Sequence, residues 1–222
     1  RLHDIDPENV AKFYPLPKAA SFPWWNFDVL LSELGPTLNS NDCDILLERW
    51  ERLRPFFKAA QDITVESVGD RPVLCHGDIH PGNVIVNRDT GRPILLDWDL
   101  LSVAPREWDH AALLTWATRW GGQASTYADF AHGYGLDFSD NELAQALAEL
   151  RLLSATLMRW RASLSTPSAQ VEAENRMKWW RQDPAAPTSG RSSSGQPETF
   201  HPKGSLSGDR IYHSPASARG LP

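Results

Sequence analysis

Several side chains that could do chemistry lie close together in the middle of the sequence. His76, Asp78 and His80 alternate there, Asn83 follows, and Asp97 comes after two short apolar runs. A carboxylate beside an acceptor hydroxyl can orient it and take its proton, and magnesium prefers hard oxygen ligands. These residues could therefore serve phosphoryl transfer: Asp78 can be the base, and Asn83 and Asp97 can supply the oxygens that bind magnesium and its nucleotide.

The neighbouring polar residues receive other predicted roles. Histidine titrates near neutrality and could act as a base, but His76 is predicted to support the loop backbone by hydrogen bonds. His80 belongs to the same loop and is a candidate catalytic residue, because it could approach the transferring phosphate. Asp109 is predicted to cap the next helix or to brace the loop. Asp99 could bind metal or substrate, or make a structural hydrogen bond.

Short strands must position these residues. Residues 73–75 are apolar and predict a buried strand, and the glycines and proline of residues 76–83 predict a loop. Residues 84–86 and 94–96 are apolar, and the turn-forming residues 87–91 lie between them, which predicts a hairpin. This hairpin would return Asp97 to the side of Asp78 and Asn83.

Helical periodicity dominates the rest of the chain. It predicts a helix near residues 40–57 ended or bent by Pro55, one over about 107–119, and one over 125–132. The longest is predicted to begin at Ser139, with Ser139 and Glu142 as a capping box. We divide the chain into an irregular lead-in (1–38), a helical catalytic region (39–182) and a tail (183–222). The tail has six Pro, eight Ser and five Gly among its residues, a composition that predicts disorder.

Composition limits the function classes. The net charge of −6 argues against nucleic acid as a partner, because binding to phosphate backbones favours a basic surface. The two cysteines cannot form a disulfide framework or a cysteine-based zinc site, so a reducing, cytoplasmic location is predicted. No apolar run approaches the roughly 18 residues that would span a bilayer.

The loop matches the spacing of the protein-kinase catalytic loop, His-Arg-Asp-Leu-x-x-x-Asn, which a hairpin and a metal-binding Asp follow. Gly77 stands in place of the arginine of that loop. Only 11 residues separate Asp97 from Asp109, too few for a segment that docks a peptide. The substrate is therefore predicted to be a small molecule.

Three segments resemble the aminoglycoside phosphotransferase (APH, choline kinase-like) family: His-Gly-Asp-Ile-His-Pro-Gly-Asn (76–83), Leu-Leu-Asp-Trp-Asp (95–99) and Pro-Arg-Glu-Trp-Asp (105–109). The resemblance covers roughly residues 40–165. It implies an α+β, protein-kinase-like fold whose C-terminal lobe is mostly helical, with a small β-hairpin at the catalytic loop. It also implies Mg²⁺, ATP or GTP, phosphorylation of a hydroxyl on an antibiotic or metabolite, and a role in antibiotic resistance.

The resemblance has one large departure. The family's N-terminal lobe is a sheet that carries a phosphate-binding Lys and its Glu partner, and nothing before residue 73 resembles it; Lys12, Lys18 and Lys58 lie in irregular or helical contexts. We therefore expect a chain that largely lacks this lobe and has little activity alone. Two alternatives stay open: a non-catalytic remnant or binding module, and a metal hydrolase that uses His76, Asp78 and His80 as ligands.

Overall fold

The computed structural model describes residues 2–62 and 71–182, and most of these residues are helical. The α-helices are α1 (Pro7–Ala11), α2 (Phe27–Leu34), α3 (Ser40–Asp62), α4 (Glu107–Leu114), α5 (Trp116–Trp120), α6 (Thr126–Tyr134), α7 (Glu142–Ser163) and α8 (Gln170–Arg181). The strands are β1 (Val73–Cys75), β2 (Val84–Val86), β3 (Pro93–Leu95) and β4 (Ser102–Ala104). The mostly helical character and the small sheets agree with the prediction.

The four strands form two separate antiparallel pairs. Strand β1 pairs with β4, so that Cys75 lies opposite Ser102, and β2 pairs with β3, so that Val84 lies opposite Leu95. The second pair is the predicted hairpin, and Gly91 in its turn has φ +67°. Strand β1 is buried throughout, as predicted. The loop of residues 76–83 therefore begins in the first sheet and ends in the second.

Helix α7 lies at the centre of the helical packing and contacts α3, α4 and α8. It buries a stripe of leucines: Leu147, Leu150, Leu153 and Leu157 are each at most 1 % exposed. Burying a leucine side chain stabilises a fold by about 1.5–3 kcal/mol. This helix therefore provides a rigid support for any residue that it presents to the catalytic loop.

The helix boundaries differ from the prediction in two places. Helix α7 begins at Glu142, and Asn141 caps it by accepting a hydrogen bond from the N–H of Ala144; the predicted capping box at Ser139 is wrong because the chain turns once more before the helix begins. The predicted helix over 107–119 is divided into α4 and α5, because Thr115 has a non-helical backbone (φ −100°, ψ 5°). Gly121, at φ +69°, ends α5 close to the predicted stop.

The first 60 residues contain more regular structure than the sequence indicated. The lead-in of residues 1–38 is not wholly irregular, because it includes α2, which begins after the capping residue Asn26 and buries Phe27, Leu30, Leu31 and Leu34. These side chains recur at helical spacing over only eight residues, a length that the surrounding prolines obscured. Pro55 does not end α3, which continues to Asp62. The predicted disordered tail, residues 183–222, lies outside the described residues.

The β2–β3 hairpin is apolar yet exposed: the exposed fractions of Val84, Ile85, Val86 and Ile94 range from 37 to 61 %. Within residues 2–62 and 71–182, no helix has the length and apolar character that a bilayer crossing requires.

Candidate active site

Asp109 holds the start of the predicted catalytic loop through hydrogen bonds. Strand β1 leads into the loop and its partner β4 leads into α4, so that Asp109, in the first turn of α4, lies against the start of the loop. The Asp109 carboxylate is fully buried. Its Oδ2 accepts a hydrogen bond from the backbone N–H of His76 at 2.9 Å, and its Oδ1 accepts one from Gly77 at 2.8 Å. Two consecutive backbone donors are thereby satisfied by one buried anion.

Gly77 is required by the shape of the loop. Its φ is +87°, and a Cβ placed there would lie 2.5 Å from the carbonyl oxygen of Leu100. A larger residue would face both backbone strain and a clash with backbone atoms. The glycine that replaces the protein-kinase arginine therefore has a local structural cause.

His76 uses both of its ring nitrogens within the protein. Its Nε2 lies 2.8 Å from the carbonyl oxygen of Leu96, and its Nδ1 accepts a hydrogen bond from the N–H of Asp78 at 3.3 Å. The neutral tautomer with its proton on Nε2 satisfies both contacts. No ring nitrogen is left for a metal ion, which disfavours the alternative of a metal hydrolase.

Asp78 follows at once and is held by a residue from α7. Arg151 donates one hydrogen bond to Oδ1 of Asp78 and another to the carbonyl oxygen of Gly77, each at 2.8 Å. The other carboxylate oxygen, Oδ2, lies 3.5 Å from Nε2 of His80. Burial raises the pKa of Asp78, but the hydrogen bond from His80 and the charge of Arg151 outweigh it, so that this pKa lies below its usual value. Asp78 is therefore an anion at neutral pH.

His80 is oriented by contacts on both sides of its ring. Its Nδ1 accepts a hydrogen bond from the N–H of Gly82 at 3.0 Å. Its ring stacks on that of Trp116, with centroids 5.2 Å apart and planes inclined by 12°. Because Nδ1 is an acceptor in this arrangement, the proton of the neutral ring is on Nε2, the atom that faces Asp78.

Asn83 and Asp97 lie next to each other across the hairpin. Nδ2 of Asn83 donates to the carbonyl oxygen of Asp78 at 2.9 Å, so Oδ1 is the side-chain atom that could hold a metal ion. The N–H of Leu96 donates to the carbonyl oxygen of Asn83 at 2.8 Å, so Asp97 follows directly beside it. Asp97 is exposed, as is Asp99. An amide oxygen and a carboxylate are hard donors that fit Mg²⁺.

The backbone of Asp97 is unusual. With φ 62° and ψ 65° it is left-handed, and among the described residues no other non-glycine residue has a positive φ. Such a conformation costs on the order of 1 kcal/mol or more in a residue with a Cβ, and residues of this kind cluster at functional sites.

A different set of ligand-type side chains meets below the loop. His3, Cys75 and Asp109 bring a nitrogen, a sulfur and an oxygen within 4.8 Å of one another, and no other such group of three is found in the described part of the chain. Burial and the charge of Asp109 raise the pKa of the Cys75 thiol well above its usual value, so the sulfur is protonated. Since Asp109 already accepts three hydrogen bonds, the group forms a hydrogen-bonded cluster.

Sequence reasoning missed two residues of this site. Arg151 is 73 residues from Asp78, and His3 lies 3.0 Å from Asp109 through its Nε2. Neither residue lies in a local sequence motif, because each makes its contact with the site only in the folded chain. The only available signal was the position of Arg151 on the strongly periodic helix α7.

The chain is similar to known proteins in its sequence profile and in its fold. A profile of the phosphotransferase enzyme family (APH) matches residues 1–153. No curated protein gives a significant sequence match. Among solved structures, the AMP-bound complex of spectinomycin phosphotransferase, APH(9)-Ia, is similar with a TM-score of 0.50 and 18 % identity over 80 % of this chain. The complex of that enzyme with ADP and spectinomycin is similar with a TM-score of 0.48 and 17 % identity, over 80 % of this chain and 57 % of that chain.

The two kinds of match carry different weight. At 18 % identity the AMP-bound structure supports a shared fold, and the present chain spans 58 % of the length of that enzyme. The family profile matches more than half of the chain, and the matched range includes every residue that was predicted for the site. The resemblance read from residues 76–109 is thus confirmed, and the chain belongs to the phosphotransferase enzyme family (APH), with a kinase-like fold.

Proposed function

We propose that this protein transfers the γ-phosphoryl group of ATP or GTP to a hydroxyl group of a small molecule, such as an aminoglycoside-like antibiotic or a metabolite. The observation that carries the proposal is the arrangement around Asp78. Its carboxylate is fixed by Arg151 and faces His80, while Asn83 donates to the carbonyl oxygen of Asp78 and accepts a backbone hydrogen bond from Leu96, the residue before Asp97.

The proposed reaction assigns one task to each oxygen of Asp78. Because Oδ1 is bound by Arg151, Oδ2 is the oxygen that would accept a hydrogen bond from the acceptor hydroxyl. The acceptor oxygen forms a bond to the γ-phosphorus, the bond to the nucleoside diphosphate breaks, and the hydroxyl proton passes to Asp78. A carboxylate with a lowered pKa is a weak base, so Asp78 would orient the hydroxyl first and take its proton late in the reaction, which is compatible with a loose transition state.

Magnesium would be held by Asn83 and Asp97, where it would neutralise charge on the nucleotide phosphates. His76 and Asp109 are proposed to act as structural support for the loop. A small-molecule acceptor is favoured because a short turn (Trp98–Leu100) and β4 account for most of the chain between Asp97 and α4. A cytoplasmic location and a role in antibiotic resistance are part of the same proposal.

The decisive variant is Asp78→Asn in the full chain. With Mg²⁺ and radiolabelled ATP or GTP, and a panel of hydroxylated antibiotics including spectinomycin, we expect transfer to fall about 10²–10⁴-fold. Asp89→Asn, which makes the same chemical change in the exposed hairpin turn, should leave transfer unaltered. Full activity in the Asp78→Asn variant would refute the assignment of the base.

A non-catalytic binding module is the second candidate, and one observation favours it. Residues 2–62 form helices and turns, and no strand is found among them, so the described residues before β1 do not provide a nucleotide-covering sheet. We therefore expect slow turnover from residues 1–222. Calorimetry with Mg²⁺ and ADP separates the candidates: binding that Asp97→Asn weakens, without phosphate transfer to any acceptor, would favour the binding module.

A further inference from the structure

A cavity of about 370 Å³ lies beside the catalytic loop, next to the residues that hold Asp109. Helix α6 supplies one wall, the N-terminal segment supplies another, and the loop itself contributes Ile79. The residues that line it are Leu2, His3, Ile79, Asp129, Phe130, Gly133 and Tyr134. Its size is at the lower end of the range of small-molecule sites, which is about 300–1,000 Å³.

The cavity wall is mostly apolar and aromatic. The rings of Phe130 and Tyr134 are stacked, with centroids 6.0 Å apart, and the ring of His3 meets Tyr134 edge-on at 5.3 Å. His3 has both ring nitrogens engaged, one with the Tyr134 hydroxyl at 2.7 Å and the other with Asp109 at 3.0 Å. The walls therefore offer ring faces and few free polar groups, which suits a ligand with an apolar or aromatic ring.

Asp129 is the one carboxylate among the described residues that line the cavity, and it is exposed. A positive group on the ligand would be attracted by this carboxylate, and it would also be stabilised against the faces of aromatic rings.

From this combination we infer that the cavity binds a small molecule made of an apolar or aromatic ring and an ammonium group. The inference rests on the cavity and not on phosphotransferase activity. The ligand would contact Ile79, which is part of the catalytic loop. It would also contact His3, whose imidazole is hydrogen-bonded to Asp109, the carboxylate that holds the loop. Asp78, whose Oδ2 is the position proposed for the acceptor hydroxyl, is not among the described residues that line this cavity.

Gly133 is a position at which a substitution can reduce the volume of the cavity. A Cβ added at this position meets no atom within 4 Å, and Gly133 belongs to helix α6. Since glycine is a poor helix former, a leucine at this position should not oppose the helix. Because Gly133 lines the cavity, Gly133→Leu places a four-carbon side chain at its wall, whereas Gly133→Ala adds a single methyl group and is its matched control.

The test uses the ¹⁵N-labelled full chain and 2-phenylethylamine as the probe, followed by NMR titration. We expect a dissociation constant on the order of 1 mM, with shifts at the amides of Ile79, Gly133 and Tyr134. Gly133→Leu should weaken binding by more than about tenfold, and Gly133→Ala by less than about threefold. Unchanged binding to Gly133→Leu, or shifts elsewhere only, would overturn the inference.

A second variant tests the charge and does not depend on filling the cavity. Asp129→Asn should weaken binding of 2-phenylethylamine about threefold, since an exposed ion pair contributes little, and should leave binding of the neutral 2-phenylethanol unchanged. The anionic probe 3-phenylpropionate should bind more weakly than either. If it binds the wild-type chain as well as the amine does, the cavity does not select a cation and the inference fails.

Discussion

The substitution Asp109→Asn should destabilise the whole fold, because three donors converge on this one carboxylate. It accepts hydrogen bonds from the N–H groups of His76 and Gly77 at 2.9 and 2.8 Å, and from the imidazole of His3 at 3.0 Å. Asparagine has nearly the same shape but only one acceptor oxygen. Its NH₂ group would face a backbone N–H, so that two donors would oppose each other.

The expected size follows from these contacts. A hydrogen bond to a charged group contributes about 1.5–3 kcal/mol, and leaving a buried donor unsatisfied costs about 1–3 kcal/mol. Removing a buried charge also removes its desolvation penalty, which offsets part of the loss. We therefore expect the free energy of unfolding to fall by about 3 kcal/mol, a large part of the 5–15 kcal/mol typical of a domain.

Urea denaturation followed by circular dichroism measures this change directly. The control Asp89→Asn replaces a carboxylate in the exposed hairpin turn and should change the free energy of unfolding by less than about 0.5 kcal/mol. The variant His3→Gln, combined with Asp109→Asn in a double-mutant cycle, isolates the bond between the two residues. A loss below about 1 kcal/mol for Asp109→Asn would refute the reasoning that this carboxylate holds the loop.

Three further predictions concern the same region and the helical core. Gly77→Ala should destabilise the fold by about 3 kcal/mol or more in urea, because it combines positive φ with the clash at Leu100; a loss below about 1 kcal/mol would contradict this. The hydrogen bond from Arg181 lowers the pKa of Asp42. The interaction between Asp42 and Arg181 therefore stabilises the fold above about pH 4, and this stabilisation is lost as the pH falls further. In thermal melts over this pH range, the Asp42→Asn variant should lack this part of the pH dependence. Iodoacetamide should modify the buried thiol of Cys75 only after unfolding; rapid labelling of the native chain, detected by mass spectrometry, would contradict this.

The sequence predicted those parts of the fold whose causes are local. The hairpin around residues 87–91 was predictable because apolar runs flank a turn, and the stop near Gly121 because glycine adopts a left-handed backbone readily. The start of α7 was not predictable in this way. Ser139 and Asn141 are both good N-caps, and the choice between them depends on the preceding turn.

The site shows the same division between local and distant causes. The spacing of His76, Asp78 and Asn83 in one loop was visible as a motif. The contact of Asp78 with Arg151, by contrast, joins residues 73 positions apart, and many surface arginines occupy similar helical positions. Contacts of this kind are set by the packing of α7 against α4, which no short pattern encodes.

The exposed hairpin has a consequence for the behaviour of the chain in solution. Within residues 2–62 and 71–182 its two strands pair with each other and with no other strand, so each has an unpaired edge there, and Val86 is 61 % exposed. Apolar side chains beside unpaired strand edges promote contact between molecules. Purified residues 1–222 should therefore self-associate as concentration rises, and a binding partner or antibody fragment that covers Val84–Val86 would act as a solubility factor.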